Sequence, residues 1–121
     1  MREKRQTKFV TPEEAVQAVR NGDWVDYGFG AGFPELLDRA LAGRKGAVQD
    51  VKIRGGLVIR PRIEVVEQDP EQESFTYYSW HIGDYERKLQ SRGLVRFMPA
   101  MLRSLPYLYR DGHIRCDVAF V

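Results

Sequence analysis

The stretch Tyr27-Gly28-Phe29-Gly30-Ala31-Gly32-Phe33-Pro34 constrains the fold of this chain more than any other. The apolar segment Trp24 to Tyr27 leads into it, and the amphipathic segment Pro34 to Leu41 leads out. That order predicts a strand, a glycine-rich turn and a helix opening on proline. Glycine lets the backbone take φ > 0 and lets another group approach the bare main chain. The N–H groups at the start of the next helix can then face an anion or a polar carbonyl. Gly28, Gly30 and Gly32 are spaced G-x-G-x-G, where the dinucleotide fingerprint needs G-x-G-x-x-G, and no G-K-[ST] follows to make a phosphate loop. Spacing alone leaves two readings open: a tight strand-to-helix connection and a ligand loop.

The segments around this turn repeat the alternation. Thr11-Pro12-Glu13-Glu14 predicts a helix start, with Thr11 as cap, Pro12 at the first helical position and Glu14 closing a capping box. Asn21-Gly22-Asp23 turns the chain into a strand over 24–29. In the helix from Pro34, residues Leu36, Leu37, Ala40 and Leu41 are expected to be buried. Val51-Lys52-Ile53-Arg54 alternates as a half-buried strand does, and Gly55-Gly56 marks its end. Arg60-Pro61-Arg62 is a break, and 63–66 fits a strand or a helical turn equally. Ser74 to Trp80 is rich in strand formers. A polar helix follows over 83–92 and a short strand over 95–98. Met101 to Tyr109 reads as a helix interrupted by Pro106, and Cys116 to Val121 as a buried strand. Strands alternating with helices predict an α/β fold, an open and largely parallel sheet flanked by helices, in which ligands sit at the carboxyl ends of the strands. Two glycine-rich strand ends, Gly28–Pro34 and Gly55-Gly56, are thereby expected on one rim. An apolar strand at the very end of the chain suggests a fold that is incomplete here.

Size and charge narrow the function classes. The 121 residues suit one domain or part of one, 1–121, preceded by a basic arm over 1–8. A charged share of 30% with a formal net charge of only +2 is too balanced for a dedicated nucleic-acid binder. No apolar run is long enough to span a membrane, no secretory leader opens the chain, and the single cysteine allows no internal disulfide. These features predict a reducing, cytoplasmic home with neither nucleic acid nor membrane as partner. Cys116, within an apolar segment, is expected to be a buried core thiol. His81, His113 and Cys116 lie in different segments without zinc-ligand spacing. The pairs Ser79 with His81 and Cys116 with His113 lack the context of known nucleophiles and are rejected as catalytic. Tyr77, Tyr78, Trp80, Tyr85, Tyr107 and Tyr109 are assigned to packing.

Several segments in order carry a resemblance to one family. They are Thr11 to Val16, Asn21-Gly22-Asp23, Gly28 to Pro34, His81-Ile82-Gly83 before a basic helix, Met98-Pro99, Leu102 to Pro106, Tyr109 to Gly112, and Asp117-Val118-Ala119. In this arrangement the chain resembles the N-terminal part of the acetyl-CoA hydrolase/CoA-transferase family, which includes 4-hydroxybutyrate, butyrate and acetate CoA-transferases. The resemblance implies a fold of the NagB/RpiA/CoA-transferase type and ping-pong transfer of coenzyme A from an acyl-CoA to a carboxylate through a glutamyl-CoA thioester. It implies no tightly bound cofactor, since CoA is the substrate. It places Gly30, Ala31, Gly32, Phe33 and Pro34 near the acyl or carboxylate pocket, and Gly55 and Gly56 in a second loop of the cleft. The catalytic glutamate belongs to a C-terminal half or second subunit. None of Glu13, Glu14, Glu35, Glu64, Glu67, Glu71, Glu73 and Glu86 matches its motif, so no catalytic residue is assigned here. A homo-oligomer is expected. Two other readings stand beside this one, a stand-alone α/β module for a nucleotide or phosphate ligand and an interaction domain pairing through its last strand.

Overall fold

The computed structural model describes residues 6–59 and 62–121. The chain starts its first helix as the capping box requires. Thr11 Oγ1 accepts the Glu14 amide at 3.2 Å and Glu14 Oε2 accepts the Thr11 amide at 2.9 Å. Helix α1 (Pro12–Ala15) runs on into a 3₁₀ turn, Val16–Ala18. Then come β1 (Trp24–Tyr27), α2 (Glu35–Ala42), β2 (Val51–Gly55), α3 (Glu64–Glu67) and β3 (Phe75–Ser79). The order closes with α4 (Asp84–Ser91), β4 (Val95–Phe97), α5 (Leu105–Arg110) and β5 (Val118–Phe120). The strands form one sheet in the order β4-β3-β2-β1-β5, and every pair is parallel. The expected open, parallel α/β architecture is the one observed.

One sheet face carries Val25, Tyr27, Val51, Ile53, Phe75 and Tyr77, all buried. They join Val16, Leu41, Ile63, Val65 and Leu89 from the helical segments in one core. Alternate residues Trp24, Asp26, Lys52, Thr76 and Tyr78 point the other way and are partly exposed. Arg54 breaks that alternation. It belongs to the second face by register, opposite Asp26 and Tyr78, yet is 1% exposed. Its guanidinium carbon lies 4.8 Å from the Trp24 ring, 5.4 Å from Trp80 and 5.3 Å from Tyr109. Nη2 meets Asp26 Oδ1 and donates to the Arg115 carbonyl, each at 2.6 Å. The Tyr109 hydroxyl donates to Asp26 Oδ2. Burial, then Asp26, pushes the Tyr109 phenol well above its ordinary value. This cluster ties α5 to the sheet.

Other expectations change in detail. Leu36 is 64% exposed while Asp38 is buried. Asp38 turns inward because its carboxylate serves the next helix: it accepts the Glu64 amide at 2.6 Å, the Val65 amide at 3.4 Å and the Tyr27 hydroxyl at 3.0 Å. Burial pushes its carboxyl up to about 6, against the opposing pull of those hydrogen bonds. Those donors resolve 63–66, which is a helical turn and not a strand. Pro106 does not interrupt a helix; it sits in the first turn of α5, where a missing N–H costs nothing. The last strand begins only at Val118, and Cys116 is exposed, not a core thiol. The chain there is held by Asp117, whose carboxylate accepts the Trp24 amide at 2.8 Å, and this keeps Cys116 outside the ladder. Of the basic arm, Arg2, Lys4 and Arg5 lie outside the described residues, as do Arg60 and Pro61; Lys8 is exposed.

Candidate functional site

Because all strands run the same way, the segments that follow them gather on one rim, and main-chain hydrogen bonds stitch those segments together. The Gly30 amide donates to the Gly56 carbonyl at 3.3 Å, and the Leu57 amide to the His81 carbonyl at 2.7 Å. The Met98 amide donates to Ser79 at 2.9 Å and the Gly28 amide to Phe120 at 3.0 Å. Five strand ends are thereby joined across the rim.

The glycine run is a 3₁₀ turn, Gly30–Gly32, and not an open cradle. A Cβ on Gly28 would collide with the Gly32 carbonyl, and Gly30 has φ +55°. Both glycines are required by the loop itself. Gly32 meets nothing within 4 Å, so no group of this chain demands glycine there. The amides of Gly28, Gly30, Gly32 and Phe33 are all donated to carbonyls of the chain. The loop therefore contributes shape more than free N–H groups. A Cβ on Gly55 would run into the Tyr77 hydroxyl, which is buried beneath it without a hydrogen-bond partner.

The predicted site residues do not all meet. Gly30 and Gly56 touch at the middle of the rim. Gly55 is buried. Ala31, Phe33 and Pro34 line a separate hollow with Thr11 and Pro12. Phe33 also packs edge-on against Tyr27, with ring centroids 5.5 Å apart. A different cavity of about 220 Å³ opens at the rim, lined by Phe29, Leu57, Trp80, His81, Leu102 and Leu105. Trp80 lines this cavity while also stacking near Arg54, so one ring of the cation cage is shared with it.

Glu86 holds the cavity's two central loops. It is 0% exposed. Oε2 accepts the Gly83 amide at 2.9 Å and the Val58 amide at 3.2 Å, and Oε1 lies 2.7 Å from the Ser79 hydroxyl. Two amides and a hydroxyl thus occupy most of the acceptor capacity of this buried carboxylate. Sequence reasoning passed over it. The available signal was its place three residues after Gly83 at a helix start, half of a capping box. The Ser79 hydroxyl faces the His81 carbonyl at 3.0 Å in addition to Glu86, so it addresses the histidine's main chain. Although Cys116 is exposed, partial desolvation of its sulfur and then Asp26 push the thiol up, the opposite of what an activated thiolate needs. Among the described residues no group of three or more His, Cys, Asp or Glu gathers as a metal site, and no helix is long and apolar enough to cross a membrane.

Fold and rim together define an open α/β domain of the parallel-sheet type, with its strand-end loops gathered around an apolar cavity. A family model, the acetyl-CoA hydrolase/transferase N-terminal domain, matches residues 1–121, and the chain belongs to that family. It is 38% identical over 120 residues to a butyryl-CoA:acetate CoA-transferase of Anaerostipes caccae, covering 99% of this chain and 27% of that protein. It is 35% identical over 119 residues to a probable butyrate:acetyl-CoA coenzyme A-transferase of Syntrophomonas wolfei, covering 98% of this chain and 26% of that protein. The crystal structure of RipA from Yersinia pestis superposes with a TM-score of 0.69 at 25% identity, over 85% of this chain and 26% of RipA. The chain thus spans about a quarter of the length of the curated relatives it matches.

Proposed function

We propose that this chain is the N-terminal part of a CoA-transferase that moves coenzyme A between a short-chain acyl-CoA and a carboxylate such as acetate. The observation that carries this reading is the similarity over 99% of the chain to a butyryl-CoA:acetate CoA-transferase. An apolar rim cavity too small for a nucleotide is consistent with it. In the proposed cycle a glutamate outside this domain, in a further part of the polypeptide or a second subunit, displaces the thiolate from the acyl-CoA. The thiolate then captures the acyl-glutamate as a glutamyl-CoA thioester and releases the first carboxylate. An acceptor carboxylate reverses both steps and leaves with CoA. Covalent catalysis of this kind divides one hard step into easier ones. The role of this domain is to shape the acyl end of the cleft, through Phe29 and Gly30 on one side and Gly56 and Leu57 on the other.

The test is CoA transfer from acetyl-, propionyl- and butyryl-CoA to acetate or butyrate, by residues 1–121 and by the full-length protein. Transfer by the full-length protein and none by residues 1–121 is expected. Transfer by residues 1–121 alone would overturn the assignment of the glutamate to another part. A full-length protein inactive with every acyl-CoA would overturn the transferase reading, and release of free CoA without any acceptor would replace it with hydrolysis.

A further inference from the structure

Leu57 has a backbone conformation that leucine rarely adopts. Its φ is +48°, in the left-handed region that favours glycine. The other non-glycine residues of positive φ among the described ones are Asp50, Arg62 and Gln72, all polar. Leu57 is not held there to fill the core, because it is 42% exposed. The chain nevertheless fixes it from both sides. The Gly56 carbonyl accepts from Gly30, the Leu57 amide donates to His81, and the Val58 amide donates to Glu86 Oε2. Strain that the surroundings over-determine in this way collects at ligand sites.

The position of the side chain shows what that strain achieves. Leu57 lines the apolar cavity of about 220 Å³. It also lines a neighbouring, more polar hollow of about 470 Å³ that includes Gly83, Asp84, Tyr85 and Lys88. Its Cδ1 lies 3.6 Å from where a Cβ on Gly83 would stand. Among the described residues, Leu57 is the one that lines both hollows. The apolar cavity is smaller than the roughly 300–1,000 Å³ of sites for drug-sized ligands, so it suits a short acyl chain and not the nucleotide of CoA.

We infer that Leu57 determines acyl-chain length, by closing the apolar cavity against the hollow beyond it. This rests on the CoA-transfer reading above. Shortening the side chain joins the two spaces and admits longer chains; enlarging it excludes butyryl in favour of acetyl. A glycine at 57 also suits the left-handed backbone, so the change in selectivity comes without loss of stability.

The experiment measures kcat/KM of the full-length protein for acetyl-, butyryl-, hexanoyl- and octanoyl-CoA, with wild type, L57G and L57F, beside thermal unfolding of each. L57G is expected to raise the hexanoyl-to-butyryl ratio by at least about tenfold, the scale of one methylene in an apolar pocket, with a melting temperature no lower than wild type. L57F is expected to raise the acetyl-to-butyryl ratio. Wild-type transfer with an unchanged chain-length profile in both variants would overturn the role of Leu57 alone. A wild type inactive with every acyl-CoA would overturn the transferase reading and this assignment with it. A lowered melting temperature in L57G with an unchanged profile would make Leu57 a structural residue.

Discussion

At the scale of single residues, two buried aspartates act on stability in opposite directions. Asp38 titrates at about 6 in the fold, against 3.8 for a free side chain. The folded state therefore holds that proton more tightly than the unfolded chain does. Between pH 3.8 and about 6 the folded protein binds more protons, so the contribution of Asp38 falls as pH rises through that window. The loss amounts to about 3 kcal/mol, at 1.36 kcal/mol per pH unit. Asp69 behaves the other way. Burial raises its carboxyl, but the amides of Ser74, Phe75 and Glu73 outweigh that and hold it below 3.8. Its contribution is present above that pH and is lost as the pH falls. The prediction concerns Asp38→Asn, which removes the titration but leaves one acceptor oxygen. Urea midpoints measured from pH 4 to 7 should lose the downward slope between pH 4 and 6. Asp38→Ala should be most destabilising near pH 4 and progressively less so toward pH 6, because the Tyr27 hydroxyl and the Glu64 amide lose their acceptor and the proton that favours the folded state near pH 4 has nowhere to bind. An Asn variant with the wild-type slope would assign the pH dependence elsewhere.

At the scale of elements, the hydrophobic alternation reveals β2 and its neighbours but not what fastens α5 to them. The pattern of Val51 to Arg54 is a correct strand signal, and it sends Arg54 toward solvent. The structure buries it instead because Trp24, Trp80, Tyr109 and Asp26 converge on it. Its carbonyl partner, Arg115, is 61 residues away. No local window contains that information. The same reason hides Asp38, which looks like a polar break in an apolar helix face, and Glu86, which looks like one charge among many on a polar helix. What was legible was local: the capping box at Thr11, the strand–glycine–helix passage, and the placing of strand ends on one rim. What was not legible was the burial of Arg54 and Asp38, since each is stabilised by groups far along the chain; Asp69 and Glu86 also take amides close by in sequence. Arg54→Ala should cost about 3 kcal/mol, the low end for an uncompensated charge, because Asp26 keeps some access to water. Amide exchange across residues 105–110 should accelerate more than exchange in β3, because α5 loses its anchor while the other sheet face keeps its core. Arg54→Lys should fall between the two, since an ammonium keeps the charge but not the planar stacking on three rings. Equal exchange in α5 and β3 would mean that the cage contributes nothing specific to that helix.

At the scale of the whole molecule, one sheet orders everything else, and its order is not the order of the chain. β1 lies between β2 and β5. Val25 to Tyr27 pair with residues 118–120, and the amide that opens the glycine loop, that of Gly28, is donated to Phe120. The rim described above is therefore a property of the assembled sheet and not of any single βα unit. This has a consequence for the way the protein is made. A ribosome releases β1 long before it releases β5; 93 residues separate Trp24 from Asp117, which already share a hydrogen bond in the fold. At a synthesis rate of about 5–20 residues per second, β1 waits roughly 5–20 s with one edge unpaired. An unpaired parallel edge invites the wrong partner. Nascent chains stalled with 118–121 still inside the exit tunnel should therefore be cleaved near residues 24–32 in a short protease pulse, and chains stalled beyond that point should resist. Resistance before β5 emerges would mean that the glycine loop forms without β5. The glycine loop is thus made well before β5, the strand that accepts its first amide, and until then it depends on whatever in the cell shields an open sheet edge.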